Sequence, residues 1–230
     1  ELKKFEDEYM IKVKGGKYKP SFANELKEVF DIEVCKYPTT QLMWLEVMEN
    51  NPSGFKGDNR PVETVSWWEA LEYCNRLSEK YGLEPVYESS KSSEGILIIK
   101  ELGGKIVSPY KVNFKNTEGF RLPTEIEWEW FAKGGQKAIE QGTFKYIYSG
   151  SNNIDEVAWY YENVRKFDVA STKDVGLKKS NQLGLYDCSG NVWEWCYDTI
   201  EFDENGDYKN IKNGNFYIYK AFDLSNTYRR

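Results

Sequence analysis

The chain has 230 residues, a formal net charge of −6 and no histidine. Its length suits one large domain or two small ones, and an acidic chain without a basic run has no electrostatic reason to bind nucleic acid or an anionic membrane. The absence of histidine excludes Ser-His-Asp and Cys-His catalysis as well as histidine-ligated zinc.

Residues 9–48 are predicted to form strands followed by a helix. The segments 9–20 and 29–40 alternate between apolar and polar residues, which is typical of half-buried strands. From residue 39 to residue 48 the spacing becomes helical and places three apolar side chains on one side, those of Leu42, Leu45 and Met48. Residues 50–65 are rich in Gly, Pro, Asn and Asp, which predicts a loop.

Residues 66–82 form the clearest predicted helix. Ser66 followed by Glu69 makes a capping box, and Gly82 ends the helical pattern. Four residues have the spacing of one buried face, namely Trp67, Leu71, Cys74 and Leu77.

Residues 121–135 are predicted to form a second helix by the same reasoning. Thr124 is the expected cap, Glu127 completes a capping box, and two glycines end the helix. We expect Trp128 and Phe131 to face inward. Acids alternate with apolar residues on this helix, and we interpret them as a capped, solvated face and not as an acid–base pair: Glu125, Glu127 and Glu129.

Short strands and loops are predicted for the rest of the chain. The segment 95–108 indicates a hairpin around Gly103 and Gly104. Residues 203–207 begin like an EF-hand loop, but the glycine and the final glutamate are not at the required positions, so we predict an exposed turn. The whole pattern predicts an α+β domain with two main helices, short antiparallel strands and much irregular structure.

Three segments, in this order, carry a family resemblance: NPSGFKGDNRPVETVSWWEALEYCNRLSEKYG, GFRLPTEIEWEWFAKGG and NQLGLYDCSGNVWEWCYD. They resemble the formylglycine-generating enzyme, or sulfatase-modifying factor, family. The resemblance extends from about residue 10 to residue 198 and implies a single C-type-lectin-like domain over residues 1–230. Members of this family continue with an R-G-G-S-W motif, so we expect a C-terminal part after Arg230 to be missing.

The family that these segments resemble is functionally mixed. Some members are oxidases that convert a sulfatase cysteine to formylglycine. Others are ligand-binding variable proteins of bacterial diversity-generating retroelements, such as that of Treponema, which the Asn- and Tyr-rich C-terminal region most resembles. The oxidase cysteine pair belongs to the segment expected after Arg230, and none of the four cysteines in this chain matches it.

The resemblance therefore favours a non-enzymatic protein with a diversified C-terminal binding surface. The partner would be an unknown protein or small molecule, and the alternative function is the formylglycine-generating oxidase. The resemblance also implies display on the bacterial cell surface as an outer-membrane lipoprotein. Any membrane contact would then pass through a lipid anchor outside this chain, which begins at Glu1 without a methionine and is expected to lack an N-terminal piece.

Calcium is the one cofactor that the resemblance suggests. In calcium-binding relatives one site uses the loop that matches residues 187–194, which implies carboxylate ligands from Asp187 and Glu194 and carbonyl ligands from Gly190 and Val192. Calcium favours such mixed oxygen ligands. The alternative is that main-chain N–H groups or an arginine hold Glu194 and no metal binds. A second site near residues 163–174 is not expected, since that stretch is poor in acids.

The cysteines and tryptophans are interpreted mainly as core residues. The cysteines form no C-x-x-C pair, which argues against a zinc ribbon or a thioredoxin-like site, and they are Cys35, Cys74, Cys188 and Cys196. The sequence leaves open whether Cys188 and Cys196 form a disulfide, but packing of both as small hydrophobic side chains is favoured. Six tryptophans are expected to lie mostly in the core: Trp67, Trp68, Trp128, Trp130, Trp193 and Trp195. The last two alternate, which allows one of them to face a surface groove.

Overall fold

The computed structural model describes residues 1–91, 97–100, 118–166, 170–197, 200–202 and 208–211. The helices in these ranges are α1 (Leu2–Tyr9), α2 (Gln41–Met48), α3 (Trp67–Lys80), α4 (Glu125–Ala132), α5 (Gly135–Glu140), α6 (Ile154–Val157) and α7 (Tyr161–Val164). The strands are β1 (Met10–Val13), β2 (Gly16–Tyr18), β3 (Lys27–Val29), β4 (Ile32–Cys35), β5 (Glu88–Lys91), β6 (Leu97–Lys100), β7 (Ile200–Phe202) and β8 (Tyr208–Ile211). The architecture is therefore α+β, as the sequence predicted.

The described strands form antiparallel pairs of two. β1 pairs with β4, so that Met10 lies opposite Cys35 and Val13 lies opposite Ile32. In the sequence, the shorter pair of β2 and β3 lies between these two strands. β5 pairs with β6, and β7 pairs with β8. The predicted turn at Gly103 and Gly104 and the predicted acidic turn at 203–207 lie outside the described residues.

The two predicted helices begin at the predicted capping boxes. In α3 the Ser66 hydroxyl accepts from the Glu69 N–H at 3.2 Å, and the Glu69 carboxylate accepts from the Ser66 N–H at 2.8 Å. In α4 the Thr124 hydroxyl accepts from the Glu127 N–H at 3.3 Å, and the Glu127 carboxylate accepts from the Thr124 N–H at 2.8 Å. Each box satisfies backbone donors that the first turn would otherwise leave free.

Two large clusters of buried side chains form most of the core in the described residues. The α3 cluster contains the predicted buried face of α3 together with Trp44, Tyr73, Val86, Tyr87 and Tyr197. The α4 cluster contains Val13, Tyr18, Val29, Trp130, Phe131, Ala132 and Leu185. Aromatic rings make up five of the nine side chains of the α3 cluster and three of the seven of the α4 cluster.

The acids of α4 do not form the solvated face that the sequence predicted. Glu129 is fully buried, and its carboxylate accepts hydrogen bonds from the Ser21 N–H at 3.0 Å and from the Ser21 hydroxyl at 3.1 Å. Glu127 is also buried and forms an ion pair with Arg121. The prediction was wrong because α4 is packed on more than one side, and partners elsewhere in the chain satisfy its buried carboxylates.

The most deeply buried side chains of α2 and α4 also differ from expectation. On α2 the side with Leu42 and Leu45 faces outward, while Trp44 is buried and stacks on Tyr73 with ring centroids 5.1 Å apart. On α4 Phe131 is buried as predicted, but the fully buried tryptophan is Trp130 and not Trp128. No helix in the described part of the chain is both long and apolar enough to cross a bilayer.

Candidate functional site

A large cavity lies where the two core clusters meet. Its volume is about 820 Å³, and its wall includes side chains of β1, β4, α3 and α4. The wall also includes part of the loop formed by residues 184–197, which we call the signature loop. From this loop Leu185, Cys188, Trp193, Glu194 and Trp195 contribute.

The signature loop is held in place by two residues with positive φ. Asp187 (φ 56°) accepts a hydrogen bond from the Gly176 N–H at 2.8 Å through its carboxylate. Asn191 (φ 65°) uses its side-chain amide to donate to the Lys173 carbonyl at 2.9 Å and to accept from the Lys173 N–H at 3.0 Å. These contacts bind the stretch 173–176 against the signature loop.

At Gly190 the backbone of the signature loop comes close to another segment of the chain. It forms an isolated bridge with Trp159, and the next N–H, that of Asn191, donates to the Trp159 carbonyl at 2.8 Å. Gly190 has φ 89°, and a Cβ atom there would lie 2.3 Å from the Trp159 carbonyl oxygen. Only glycine fits this position, because both the conformation and the contact exclude a side chain.

The carboxylate of Glu194 lies beside α4. It accepts a hydrogen bond from the indole N–H of Trp128. Glu194 lines the cavity, although the residue as a whole is exposed, and burial of its carboxyl group raises the pKa of Glu194 to about 7. The Trp128 hydrogen bond lowers this pKa, and the nearby negative charge of Asp187 raises it further.

Asp187 is the second acid of the signature loop. It is buried, and burial raises its pKa, while the hydrogen bonds from Gly176 and Asn191 lower it. The partner that holds Glu194 is the indole of Trp128, whereas the metal-free alternative predicts main-chain N–H groups or an arginine. Both acids thus have partners that are neutral, so a cation would stabilise their charged forms.

The ligands predicted for calcium fit that ion in their chemistry. Two carboxylates that repel each other, together with carbonyls, are typical calcium ligands. The Gly190 carbonyl already accepts from the Val192 N–H at 2.9 Å, but a carbonyl oxygen has a second lone pair. In the described part of the chain no three His, Cys, Asp or Glu side chains form a group that could hold a metal ion, so both carbonyls would be required. The site with Asp187, Gly190, Val192 and Glu194 stays a prediction.

The cysteines are free thiols, and Cys188 and Cys196 form no disulfide. Burial raises the pKa of Cys35 to about 11 and that of Cys74 to about 12, and it raises the pKa of Cys188 well above the ordinary value. All three line the cavity, whereas Cys196 is buried outside its wall. The expected role as small packed side chains agrees with these protonated thiols.

The tryptophans of the signature loop have different environments. Trp193 is 37% exposed, while Trp195 is half-buried and donates from its indole N–H to the Val65 carbonyl at 2.8 Å. Trp67, at the start of α3, donates to the Cys196 carbonyl at 3.0 Å. The signature loop is therefore fastened to the start of α3, and Trp193 is the tryptophan of this pair that faces outward.

Sequence reasoning missed several residues that organise the site. Asn191, Gly176 and Trp159 were not singled out, although all of them hold the signature loop. For Asn191 a signal was present, since asparagine is one of the few non-glycine residues that adopt positive φ. For Gly176 and Trp159 no local signal exists, because their partners are more than ten residues away.

Comparison with known proteins identifies the family. The family model described as "Sulfatase-modifying factor enzyme 1-like domain" matches residues 5–230. The chain is 40% identical over 205 residues to the chaperone protein LppX of Paenibacillus barcinonensis, a match that covers 82% of this chain and 71% of LppX. It is 36% identical over 83 residues to the formylglycine-generating enzyme of Streptomyces coelicolor, which covers 35% of this chain and 26% of that enzyme.

A solved structure shares the fold. Treponema denticola variable protein 1 superposes with a TM-score of 0.61 at 32% identity, and the match covers 82% of this chain and 72% of that one. The chain therefore matches the variable protein over most of both lengths, whereas it spans about a quarter of the Streptomyces enzyme.

Proposed function

Because the chain belongs to the sulfatase-modifying factor enzyme 1-like family, we propose that it is a non-enzymatic ligand-binding protein with a diversified binding surface in its C-terminal region. The observation that carries the proposal is the similarity to Treponema denticola variable protein 1 over 82% of the chain at 32% identity. The alternative, an oxidase that converts a sulfatase cysteine to formylglycine, draws on relatives that match a much shorter part of the chain.

The architecture of the described residues supports a role as a binding scaffold. Capped helices and two aromatic clusters make a rigid base, and the signature loop is fastened to it at both α3 and α4. On such a base, substitutions in loops cost little stability, so loops can vary for recognition. Tyrosine and asparagine, which are frequent after residue 207, give contact area and adaptable hydrogen bonds.

The chemistry of the thiols gives no support to the oxidase. A catalytic cysteine acts as a thiolate, and such a cysteine lies in surroundings that lower its pKa. Here burial raises the pKa of Cys35, Cys74 and Cys188, so these thiols are protonated at neutral pH. Cys196 is buried and its carbonyl is bound to Trp67.

A peptide assay tests the choice between binding and oxidation. The chain is incubated with a cysteine-containing sulfatase peptide in the presence of air and copper. The aldehyde product is then measured by mass spectrometry. A formylglycine-generating enzyme is the positive control, and we expect no aldehyde above the peptide-only background. Aldehyde that forms with the chain above the peptide-only background would overturn the proposal.

A chaperone activity is the second candidate, and the similarity to LppX favours it. That match is 40% identical and covers 82% of the chain. Chaperones that hold unfolded chains also act by binding and need no reacting group. Light scattering of reduced, denatured lysozyme during dilution tests this candidate: suppression of aggregation at near-equimolar chain supports it, and scattering equal to that with serum albumin contradicts it.

We also propose display on the bacterial cell surface and calcium binding in the signature loop. The first rests on the similarity to the variable protein, and the second rests on the fit of Asp187 and Glu194 to a cation. Calcium would stiffen the loop because it would neutralise two carboxylates whose negative charges repel each other.

A further inference from the structure

The cavity where the two core clusters meet has the size of a small-molecule site. Its volume is about 820 Å³, and it is half-open to solvent. Ligand pockets in proteins usually have volumes of about 300–1,000 Å³ and mainly apolar walls, with a few polar groups that fix the orientation of the ligand. The cavity is therefore suited in size to a small organic ligand.

The floor of the cavity is apolar. Val13, Trp44, Leu77 and Leu185 line the cavity, and each of them is at most 6% exposed. These side chains belong to the α3 and α4 clusters, whose packing holds them in place. The part of a ligand that reaches the floor should be apolar, because burying a polar group there without a hydrogen bond costs free energy.

The mouth of the cavity is acidic on the side of β4. Ile32 and Val34 of this strand pack against the α4 cluster, whereas Asp31 and Glu33, which alternate with them, are exposed. All four residues line the cavity. Because successive side chains of a strand point to opposite faces, the two carboxylates lie on the solvent side of the wall and the two apolar side chains lie on its inner side.

Acids outnumber bases in the described part of the wall, even when Glu194 is left out because it belongs to the proposed calcium site. The other charged lining residues are five acids and three bases: Glu6, Asp31, Glu33, Glu118, Glu127, Lys12, Lys14 and Arg121. Arg121 pairs with Glu127, and Lys12 pairs with Glu33 at 3.8 Å. Asp31 accepts from a neutral donor, the Gly15 N–H, at 2.8 Å. A cleft lined mainly by one sign of charge attracts ligands of the opposite sign, so this wall favours a cation.

We propose that the cavity binds a small organic cation in which an apolar body carries an ammonium or quaternary ammonium group. The apolar body contacts the floor around Trp44 and Leu185, and the charged group lies at the mouth beside Asp31 and Glu33. Burial of the body supplies most of the affinity, and the carboxylates at the mouth select the charge. The site does not use the C-terminal region that carries the proposed function, so the two proposals stand or fall separately.

Calorimetric titration with three probes that share an octyl chain tests the proposal. The probes are octyltrimethylammonium, octyl sulfate and 1-octanol, each kept below the concentration at which it aggregates. We expect octyltrimethylammonium to bind at a single site and at least about tenfold more tightly than octyl sulfate, which corresponds to about 1.4 kcal/mol, with octanol between them. Octyl sulfate that binds as tightly as the ammonium probe would overturn the proposal, and so would an ammonium probe that does not saturate.

Charge variants locate the selecting groups. The mouth variant Asp31→Asn/Glu33→Gln removes both carboxylates but keeps the oxygen that accepts from the Gly15 N–H. Its control, Asp7→Asn/Glu28→Gln, removes two exposed acids that do not line the cavity, so the net charge of the two variants is the same. The preference for the ammonium probe over octyl sulfate should fall at least about threefold in the mouth variant alone, while octanol binds both variants equally. Equal preferences in the two variants would mean that the net charge of the chain, and not the mouth of the cavity, selects the cation, and would overturn the proposal.

A pair of valine variants places the octyl chain. Val34 lines the cavity and Val47 does not, although both are half-buried and pack against a core cluster. Val34→Thr should weaken all three probes by about threefold, because the octyl chain loses an apolar contact, whereas Val47→Thr should leave their affinities unchanged. Equal affinities in the two threonine variants would overturn the proposal. The charge variants alter exposed residues, so their result decides the proposal even if Val34→Thr unfolds.

Discussion

The buried ion pair between Arg121 and Glu127 should contribute strongly to stability. The guanidinium donates twice to the Glu127 carboxylate, at 2.9 Å and 2.7 Å, and the side chains are 13% and 12% exposed. Removing one partner of a buried pair costs about 3–5 kcal/mol, because the other charge is left uncompensated. Since both side chains keep some exposure, we expect Arg121→Met to cost about 3 kcal/mol.

For a domain of this size, that loss lowers the Tm by about 6–12 °C, because each kcal/mol shifts it by about 2–4 °C. Glu127→Gln keeps the oxygen that accepts from the Thr124 N–H but loses the charge. The double variant Arg121→Met/Glu127→Gln should regain most of the loss, since it leaves no unpaired charge. Urea unfolding of the four chains gives the coupling free energy between the two sites.

The pH dependence checks the same reasoning. Burial raises the pKa of the Glu127 carboxyl, but the hydrogen bonds and charge of Arg121 outweigh this effect, so the pKa lies below its ordinary value of 4.5. A carboxylate with a lowered folded-state pKa stabilises the fold above the unfolded pKa, and this contribution declines as the pH falls through the folded pKa. The difference between the unchanged chain and Arg121→Met should therefore shrink below about pH 4.5. A difference that is independent of pH, or a double variant whose loss equals the sum of the single losses, would refute the ion-pair account.

Three further predictions concern the signature loop. Because the folded-state pKa of Glu194 is raised to about 7, the free energy of unfolding of the unchanged chain should fall as the pH rises from about 4.5 to 7. Glu194→Gln should remove this dependence on pH, which urea unfolding followed by tryptophan fluorescence would measure. Calcium at about 100 times its Kd should stabilise the chain by about 2.7 kcal/mol, and Asp187→Asn should abolish this stabilisation. A melting temperature that does not change in millimolar calcium would count against the site. Gly190→Ala should destabilise the fold far more than Gly142→Ala. Both glycines have positive φ, but an added Cβ atom would lie 2.3 Å from the Trp159 carbonyl oxygen at Gly190 and would meet no atom within 4 Å at Gly142. Equal losses in the two alanine variants would mean that backbone strain alone, and not this contact, requires glycine.

Local sequence signals predicted where the two main helices begin and which face of α3 is buried. The Ser66–Glu69 and Thr124–Glu127 boxes join residues three positions apart, so their hydrogen bonds depend little on the rest of the chain. The buried face of α3 followed from its helical spacing for the same reason. The family also followed from sequence, since the G-N-V-W-E-W segment and its order among the other motifs are specific.

Tertiary structure alone decided the environment of the charged groups. Glu129 resembles an exposed acid in the sequence, yet it is fully buried because Ser21, 108 positions away, supplies its hydrogen bonds. The indole that holds Glu194 lies 66 positions away, on α4. Burial, pKa and hydrogen bonding depend on which segments meet in space, and the contacts that bring distant segments together are set by packing of the whole fold and not by local spacing. The sequence by itself therefore determined the family and where the two main helices begin, and the packing determined which of the acids are available to a ligand or a cation.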